Sequence, residues 1–385
     1  MINRVILLVV EGLGAGAASD ASEYGDASSH TLRHLADAAG GLSLPSMESL
    51  GLGHVCEIRG VRSMAQPIGC FGRLGFKSKG VDSLAGYWEI AGCLSDNDSA
   101  SFPDGYPEQA LASLQQVFGR KVLGGRVSSA EEAVSEFGSE HLSKGDPIVW
   151  TDGRQTCHVA VHEKTWSADI LYQRCREARK ALRDPWGIQR IVAHPLTGGL
   201  EKLQVGPGRR DFAGEPPSLT MLDVLNRASQ ILIGIGKVGD MFGGRGLTRS
   251  AAVSGWGNVI NEVSGLFNKV PRGLIFVGLE VIGSHAERSA AALQDFDRRL
   301  PELLGQLRPG DLLFITGDHG RDPKKPHAVP TREYVPLLIT GPKLAQGVNL
   351  GIRPSAADLG QTVVEALRGE SLANGESFMD ALRPG

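Results

Sequence analysis

Six residues that could bind divalent metal ions follow short apolar runs in this sequence. They are Glu11, Glu280, His285, Asp318, His319 and His327. In an open α/β sheet, ligands bind beyond the carboxyl ends of the strands, and carboxylates with imidazoles suit one or two divalent transition metals. The pattern therefore favours a metal site, although each residue taken alone could instead be a helix cap or a surface loop residue.

A candidate nucleophile, Ser83, lies in the segment Gly80–Glu89. A serine hydroxyl is a poor nucleophile unless a base or a metal lowers its pKa, and metals held by the acidic residues above could do so. Ser83 also precedes an apolar stretch, which is typical of the N-cap of a helix. The residues alone leave both interpretations open.

Two glycine patterns, Gly12–Ala17 and Gly234–Gly239, each follow an apolar run. A dinucleotide fingerprint requires a helix to begin at once, because the pyrophosphate lies on the helix N-terminus. The segments that follow are rich in Ser, Asp and Gly and do not favour a helix. We therefore do not predict a dinucleotide site.

Short β-branched runs alternate with helical patterns along most of the chain. The runs are Val5–Val10, Ile231–Ile235, Leu274–Leu279, Leu312–Ile315 and Pro336–Ile339, and the clearest helical patterns are Ser289–Leu304 and Ala356–Leu367. Such runs are typical of strands buried on both faces of a mainly parallel sheet. Their alternation with helices predicts a doubly wound α/β domain.

The middle of the chain predicts a separate, inserted domain. Polar loops at Ser95–Ser99 and Gly214–Pro217 bracket further apolar runs and a helical stretch at Ala168–Leu182. We predict a core domain made of residues 1–99 and 215–385, and an α/β cap domain made of residues 100–214.

Composition excludes several classes of partner. The chain has 385 residues, 22% of them charged, and a formal net charge of −3. It therefore lacks the excess of positive charge that is typical of nucleic-acid-binding proteins. The first apolar run ends at Glu11, and no apolar stretch approaches the ~18 residues that span a bilayer. Five cysteines without a CxxC pair indicate reduced thiols. We expect a cytoplasmic protein that binds neither nucleic acid nor membranes, and the sequence leaves its oligomeric state open.

Several ordered segments resemble the phosphopentomutases of the alkaline phosphatase superfamily. The matching segments are Gly51–His54, Trp88–Ile90, Phe102–Pro107, Ile235–Lys237, Asp318–Pro323 and Thr331–Leu338. The resemblance implies an alkaline-phosphatase-like core with two manganese ions, a phosphorylated threonine and a mobile cap. It also implies exchange of phosphate between C1 and C5 of ribose or deoxyribose.

The resemblance assigns roles to individual positions of this chain. Ser83 falls on the phosphorylated threonine. Glu11, Asp318 and His319 fall on the ligands of one metal, and Glu280 and His285 fall on the ligands of the other. Arg209 and Lys237 fall on residues that hold the phosphate of the sugar substrate.

The site positions depart from the family pattern while the scaffold motifs match it. Glu11 and Glu280 replace Asp, Ser83 replaces Thr, and Ala85 and Tyr87 replace the Thr and His of a Thr-Gly-His-Trp-Glu motif. Val81 replaces Lys, and Pro330 replaces a metal-binding His, with His327 three residues earlier. In the cap, His194 replaces a phosphate-binding Arg, and Asp152 and Arg154 alter the sugar-recognition loop.

We therefore predict a metal-dependent enzyme that transfers a phosphoryl group on a pentose phosphate or a modified relative. Two alternatives remain at this point. One is a different reaction on the same scaffold, such as phosphate hydrolysis, and the other is a non-catalytic protein that binds a sugar phosphate. Because His194 is shorter than Arg and mostly neutral at pH 7, we expect unmodified ribose 5-phosphate to bind weakly unless Arg154 compensates.

Overall fold

The computed structural model describes residues 1–95, 101–253 and 255–384. The chain forms two compact units. Unit 1 comprises Met1–Asp96, Pro216–Gly239 and Gly244–Gly385, and unit 2 comprises Asn97–Glu215 and Asp240–Gly243. The predicted boundary at residues 99 and 100, and most of the polar loop Ser95–Ser99, lie outside the described residues. The substrate-binding role of residues 100–214 stays a prediction.

The strands, in chain order, are β1 (Arg4–Val10), β2 (Cys70–Leu74), β3 (Leu123–Val127), β4 (Ile148–Thr151), β5 (Thr156–His162), β6 (Arg190–Thr197), β7 (Gln204–Val205), β8 (Arg210–Ala213), β9 (Leu232–Ile235), β10 (Arg249–Ala251), β11 (Gly273–Leu279), β12 (Asp311–Thr316), β13 (Val335–Thr340) and β14 (Asn349–Arg353).

The α-helices are α1 (Thr31–Ala38), α2 (Pro45–Ser49), α3 (Leu52–Val55), α4 (Ser83–Ile90), α5 (Glu108–Phe118), α6 (Ala130–Lys144), α7 (Ala168–Arg183), α8 (Met221–Arg227), α9 (Val238–Met241), α10 (Trp256–Leu266), α11 (Ala286–Leu304) and α12 (Ala357–Ala366). Short 3₁₀ turns span Ala21–Tyr24, Leu200–Lys202, Pro326–Ala328 and Met379–Leu382.

Among the described residues of unit 1, eight strands form one mixed sheet in the order β10-β9-β11-β1-β12-β13-β2-β14. The first five of these strands are mutually parallel, whereas β13 runs antiparallel to β12 and β2. The carboxyl ends of β9, β11, β1 and β12 therefore meet at one edge of the sheet. That edge is where an open α/β sheet places its ligand site.

Both faces of the unit 1 sheet are covered, which explains why its central strands are almost entirely apolar, apart from Arg4, Asp311 and Thr316 at strand ends. Ile6, Leu8 and Val10 of β1 pack into a core with helices α1, α2, α10 and α11. On the other face, the ring of Tyr87 in α4 stacks on Phe276 of β11 at 5.6 Å between ring centroids, and α4 contacts α12. This doubly wound arrangement confirms the predicted α/β class.

Unit 2 is built in the same way on a smaller scale. Its sheet has the order β3-β4-β5-β6-β7. Strand β8 pairs with residues 190–193 of β6, whereas β7 pairs with the last two residues of β6. Helices α5 and α7 pack on one face around Cys157, Val159 and Ile191, and α6 packs on the other around Trp150 and Ala160. Unit 2 therefore has its own core.

Two further features concern the apolar character of the helices and the state of the cysteines. In the described parts of the chain, no helix is both long and apolar enough to cross a membrane. The five cysteines are all free thiols, and Cys70, Cys93, Cys157 and Cys175 are buried.

Candidate active site

The edge formed by four parallel strands brings distant acidic and basic residues of unit 1 together. Glu11 follows β1, Lys237 lies two residues after β9, and Glu280 follows β11. Asp318 and His319 follow β12 in the same way. The sequence predicts Glu11, Glu280, Asp318 and His319 at strand ends, and the strand order makes them neighbours of Lys237.

Ser83 is the first residue of α4 rather than its N-cap. Asp82 is the N-cap, and its carboxylate accepts a hydrogen bond from the backbone N–H of Ala85 at 3.0 Å. The capping interpretation of Ser83 is therefore wrong, because the acidic residue before it already satisfies the helix terminus. The Ser83 side chain is left to point at His319, and it is only 3% exposed.

Helix α4 reaches the strand ends because Gly86 has no side chain. A Cβ atom at position 86 would lie 2.1 Å from the carbonyl oxygen of Asp318. The helix backbone therefore lies directly against the loop after β12. This contact brings the Ser83 hydroxyl within 3.2 Å of His319 Nε2.

The hydrogen bonds of His319 fix which of its nitrogens carries the proton. Nδ1 lies 2.7 Å from the carbonyl oxygen of Gly320, and a carbonyl can only accept, so Nδ1 carries the hydrogen. Burial lowers the pKa of His319 below its usual value of 6.5, which favours the neutral ring. Nε2 therefore presents a lone pair towards Ser83 and Asp318.

The Asp318 carboxylate offers an oxygen suited to a cation. Its Oδ1 accepts a hydrogen bond from the Gly12 backbone N–H at 2.9 Å, whereas the buried Oδ2 has no hydrogen-bond partner in the described structure. Oδ2 lies 3.5 Å from His319 Nε2. Two ligands ~2.1 Å from one tetrahedral metal lie ~3.4 Å apart, so this pair of acceptors, with the Ser83 hydroxyl beside it, fits a single divalent ion.

Glu11 and Glu280 share a different cation. The Lys237 ammonium contacts Glu11 Oε2 and lies 3.3 Å from Glu280 Oε1, and the Tyr87 hydroxyl donates to Glu11 Oε1 at 3.2 Å. Burial raises the pKa of the Glu11 carboxyl to about 7, and the Lys237 ammonium opposes that rise. The resemblance notes Tyr87 only as a replacement and assigns Lys237 to the substrate phosphate, a role that stays a prediction. Chain spacing gives no sign of the contacts of either residue with Glu11.

The remaining predicted ligands lie towards solvent. His285 and His327 are exposed, and the side chain of Glu280 is 47% exposed. In residues 1–95, 101–253 and 255–384, no group of three or more His, Cys, Asp or Glu side chains is arranged to hold a metal ion. The complete two-metal ligand set predicted from the resemblance stays a prediction.

In unit 2, the predicted substrate-binding residue His194 belongs to a cluster of rings on its sheet. His194 Nε2 lies 3.0 Å from His158 Nδ1, and Trp150 packs against both imidazoles with ring centroids 4.9–5.0 Å away. Burial, followed by the neighbouring His194, lowers the pKa of His158 well below its usual value. The cluster therefore favours a neutral His158.

Arg209 and Arg154 are held by carboxylates of the same unit. Arg209 Nη1 lies 2.9 Å from Asp211 Oδ2 and remains 23% exposed, while the buried Arg190 pairs with Asp211 Oδ1. The backbone N–H of Arg154 donates to Asp152 Oδ1 at 2.9 Å, which closes the turn between β4 and β5.

Some residues of the matching segments have a structural role. Glu333 is buried and accepts hydrogen bonds from the backbone N–H groups of Gly16 and Thr31 and from the Thr31 hydroxyl. The glycine pattern Gly12–Ala17 therefore passes close to this carboxylate, and the first α-helix after it begins only at Thr31. This arrangement differs from a dinucleotide loop, in which the helix begins at once.

Buried Glu89 joins three segments of unit 1. Its carboxylate accepts hydrogen bonds from the backbone N–H groups of Lys77 and Ser78 and from the Ser355 hydroxyl. The Trp88–Ile90 segment thus anchors α4, whose first residue is Ser83. A scaffold position of this kind supports the site without entering its chemistry.

Comparisons with known proteins agree with this architecture. Residues 284–371 match the family model of the Metalloenzyme superfamily. The PH0037 protein from Pyrococcus horikoshii has a similar fold, with a TM-score of 0.50, 15% identity and coverage of 97% of this chain and 100% of that one.

Curated relatives match over the full length of the chain. A phosphopentomutase from Desulfitobacterium hafniense is 38% identical over 387 residues, which cover 99% of this chain and 100% of the relative. One from Dictyoglomus thermophilum is 38% identical over 390 residues, covering 100% of both chains. With its strand-end site and these full-length matches, the chain belongs to the phosphopentomutase family.

Proposed function

We propose that this chain catalyses metal-dependent phosphoryl transfer within a pentose phosphate, as a phosphopentomutase-type isomerase. The observation that carries the proposal is the buried Ser83 hydroxyl, which faces His319 Nε2 at 3.2 Å beside an Asp318 oxygen that has no hydrogen-bond partner among the described residues. These contacts support a phosphoryl acceptor next to a cation site in a member of this family.

The proposed reaction uses Ser83 as a carrier. Its Oγ forms a bond to phosphorus while the bond from phosphorus to one sugar oxygen breaks, and the hydroxyl proton passes to that oxygen. In the second step the bond from phosphorus to Ser83 Oγ breaks while another oxygen of the same sugar bonds to phosphorus. The proton of that sugar hydroxyl passes to Ser83. No phosphate is released, so the net reaction is an isomerisation.

The protein contributes position and charge to this step. Asp82 fixes the first turn of α4, and the Gly320 carbonyl holds His319 in the form whose Nε2 is an acceptor. Asp318 and His319, with Ser83 beside them, would hold a divalent ion, for which manganese is our proposal. A bound ion would lower the pKa of the Ser83 hydroxyl and neutralise charge on the phosphoryl group.

We further propose that Arg154, His194 and Arg209 of unit 2 bind the sugar phosphate. Arg209 supports this proposal because its guanidinium remains partly exposed although Asp211 holds it, and a guanidinium binds phosphate oxygens in a bidentate manner. The free cysteines support a reducing, cytoplasmic location.

Phosphorus NMR of ribose 1-phosphate incubated with the protein and Mn²⁺ tests the proposal. We expect ribose 5-phosphate to accumulate without inorganic phosphate, and Ser83→Ala to abolish the conversion while Ser83→Thr retains it. Release of inorganic phosphate would identify a hydrolase instead. Absence of any conversion, with sugar phosphate still bound, would favour the binding protein.

A further inference from the structure

Two carboxylates at the strand ends are already neutralised in part by a side chain. The Lys237 ammonium contacts Glu11 and lies 3.3 Å from Glu280. Glu11 and Lys237 are both buried, at 7% and 9% exposure. A buried carboxylate needs a positive partner, because removing a charge from water without compensation is costly. Lys237 supplies that partner from within the chain.

The backbone fixes Lys237 in this position. The residue before it, Gly236, has a φ of 72°, and a Cβ there would lie 2.4 Å from the carbonyl oxygen of Gly278. Only glycine combines this left-handed turn with so close an approach. The turn after β9 is thereby pressed against β11, which directs Lys237 towards the acids that follow β11 and β1.

Tyr87 occupies the other oxygen of Glu11. Its hydroxyl donates to Glu11 Oε1 at 3.2 Å, and the ring is fully buried. Burial raises the pKa of Tyr87 well above its usual value, so the phenol keeps its proton. Each Glu11 oxygen thus has a donor from the protein.

The site has two halves, Asp318 with His319 and Glu11 with Glu280, and they differ in whether they can bind a divalent metal ion. Beside Ser83, a buried Asp318 oxygen has no hydrogen-bond donor within the part of the chain that the structure describes, and it faces a lone pair on His319. At Glu11 and Glu280, a divalent ion bound by both carboxylates would have to displace the Lys237 ammonium or lie next to its charge. A second metal does not fit this half as the structure has it.

We propose that Lys237 is a built-in cation that replaces the second metal ion, so that the chain binds one divalent ion, at Asp318 and His319. The inference deepens the proposed function, on which it rests for the assignment of the site to phosphoryl transfer. A fixed ammonium would stabilise negative charge at the strand ends without any requirement for a second ion.

Metal stoichiometry tests this inference without turnover. The purified full-length chain is equilibrated with Mn²⁺, and bound ions are counted by titration with electron paramagnetic resonance detection of free Mn²⁺. We expect one ion per wild-type chain, none in Asp318→Asn, and two in Lys237→Met, which removes the ammonium at similar side-chain length. Lys237→Arg, which keeps the positive charge, should still bind one ion. Circular dichroism establishes that each variant is folded.

Several outcomes would overturn the inference. Two ions in the wild-type chain, or none, would contradict it directly. A single ion in Lys237→Met would show that the ammonium does not exclude the second ion. An ion retained in Asp318→Asn but lost in Glu280→Gln would place the ion at Glu11 and Glu280 instead of at Asp318 and His319. A chain that binds one ion as expected but does not isomerise ribose 1-phosphate would remove the proposed function and leave the inference standing.

Discussion

The imidazoles of this protein show how one residue type takes different roles according to which ring nitrogen carries the proton. In His319, Nδ1 donates to a carbonyl and Nε2 is the acceptor that faces Ser83. In His30, the N-cap of α1, Nδ1 instead accepts a hydrogen bond from the Arg33 backbone N–H at 3.2 Å. Protonation of His30 would remove that acceptor.

His30 therefore predicts a pH dependence of stability. Burial, followed by the charges of Arg33 and His34, lowers its pKa to about 4, while a backbone hydrogen bond and the charge of Asp322 oppose this shift. Because the folded-state pKa lies below the usual 6.5, the unfolded chain takes up the proton first, and stability is lost as pH falls from ~6.5 to ~4. Because the ring is partly exposed, solvent screening reduces the full effect of this shift, and we expect this residue to contribute a loss on the order of 2 kcal/mol.

His30→Asn is the matched variant, because asparagine is a good N-cap and does not titrate. Urea unfolding at pH 7.5 and pH 4.5 should show a smaller loss of stability in His30→Asn than in the wild-type chain. An identical loss in both proteins would show that His30 does not titrate on unfolding in this range.

Sequence reasoning at the residue scale identified candidates but not their partners. Glu11, Asp318 and His319 could be recognised because their types and their positions after apolar runs are both visible in the chain. The pairing of Lys237 with Glu11 joins residues more than 200 positions apart, and no local pattern encodes it. Ser83 is ambiguous in the sequence because Asp82 and Ser83 are both residue types that can cap a helix.

At the scale of elements, the contact between α4 and the loop after β12 decides whether Ser83 can reach His319. An alanine at an exposed helical glycine normally stabilises a protein by up to ~1 kcal/mol. At Gly86 the added Cβ would instead meet the Asp318 carbonyl at 2.1 Å. We therefore expect Gly86→Ala to destabilise the chain by ~1–3 kcal/mol and to reduce phosphoryl transfer sharply.

Gly265→Ala provides the control for this prediction. Gly265 lies in α10, where a Cβ would meet no atom of the described residues within 4 Å. The same substitution should therefore be neutral or stabilising by up to ~1 kcal/mol. Urea unfolding and the NMR assay measure both effects. Full activity in Gly86→Ala would contradict the proposed role of the contact between α4 and Asp318.

The central strands of unit 1 are the most predictable elements, because strands buried on both faces of a parallel sheet are near-continuous apolar runs. The predicted run Leu274–Leu279 lies within β11 (Gly273–Leu279), and the helix predicted at Ser289–Leu304 begins three residues earlier, at Ala286. Strand order was not predictable in the same way. It depends on crossover connections between β1, β11 and β12, which the periodicity of a single segment does not report.

At the scale of the whole molecule, each unit has a core and a buried ion pair of its own. In unit 1, Arg4 pairs with Asp311 and also donates to the carbonyl of Phe267. In unit 2, Arg190 pairs with Asp211. Breaking a buried pair by removing one partner typically costs ~3–5 kcal/mol, so each pair can report on the stability of its unit.

We predict that the two units unfold in separable transitions. In differential scanning calorimetry, Arg4→Met should lower the transition of unit 1 and Arg190→Met that of unit 2. The effect in unit 2 should be smaller, because Arg209 remains 2.9 Å from Asp211 and partly compensates its charge. A single transition that both variants shift equally would show that the units unfold as one.

The central claim is that Ser83 carries the phosphoryl group during an isomerisation. The most direct measurement is acid quenching of the Mn²⁺-loaded protein during turnover of ribose 1-phosphate labelled with ³²P, followed by peptide mapping. We expect label on the peptide that contains Ser83, with no label in Ser83→Ala. Turnover at the wild-type rate with an unlabelled Ser83 peptide, or label on another residue, would contradict it.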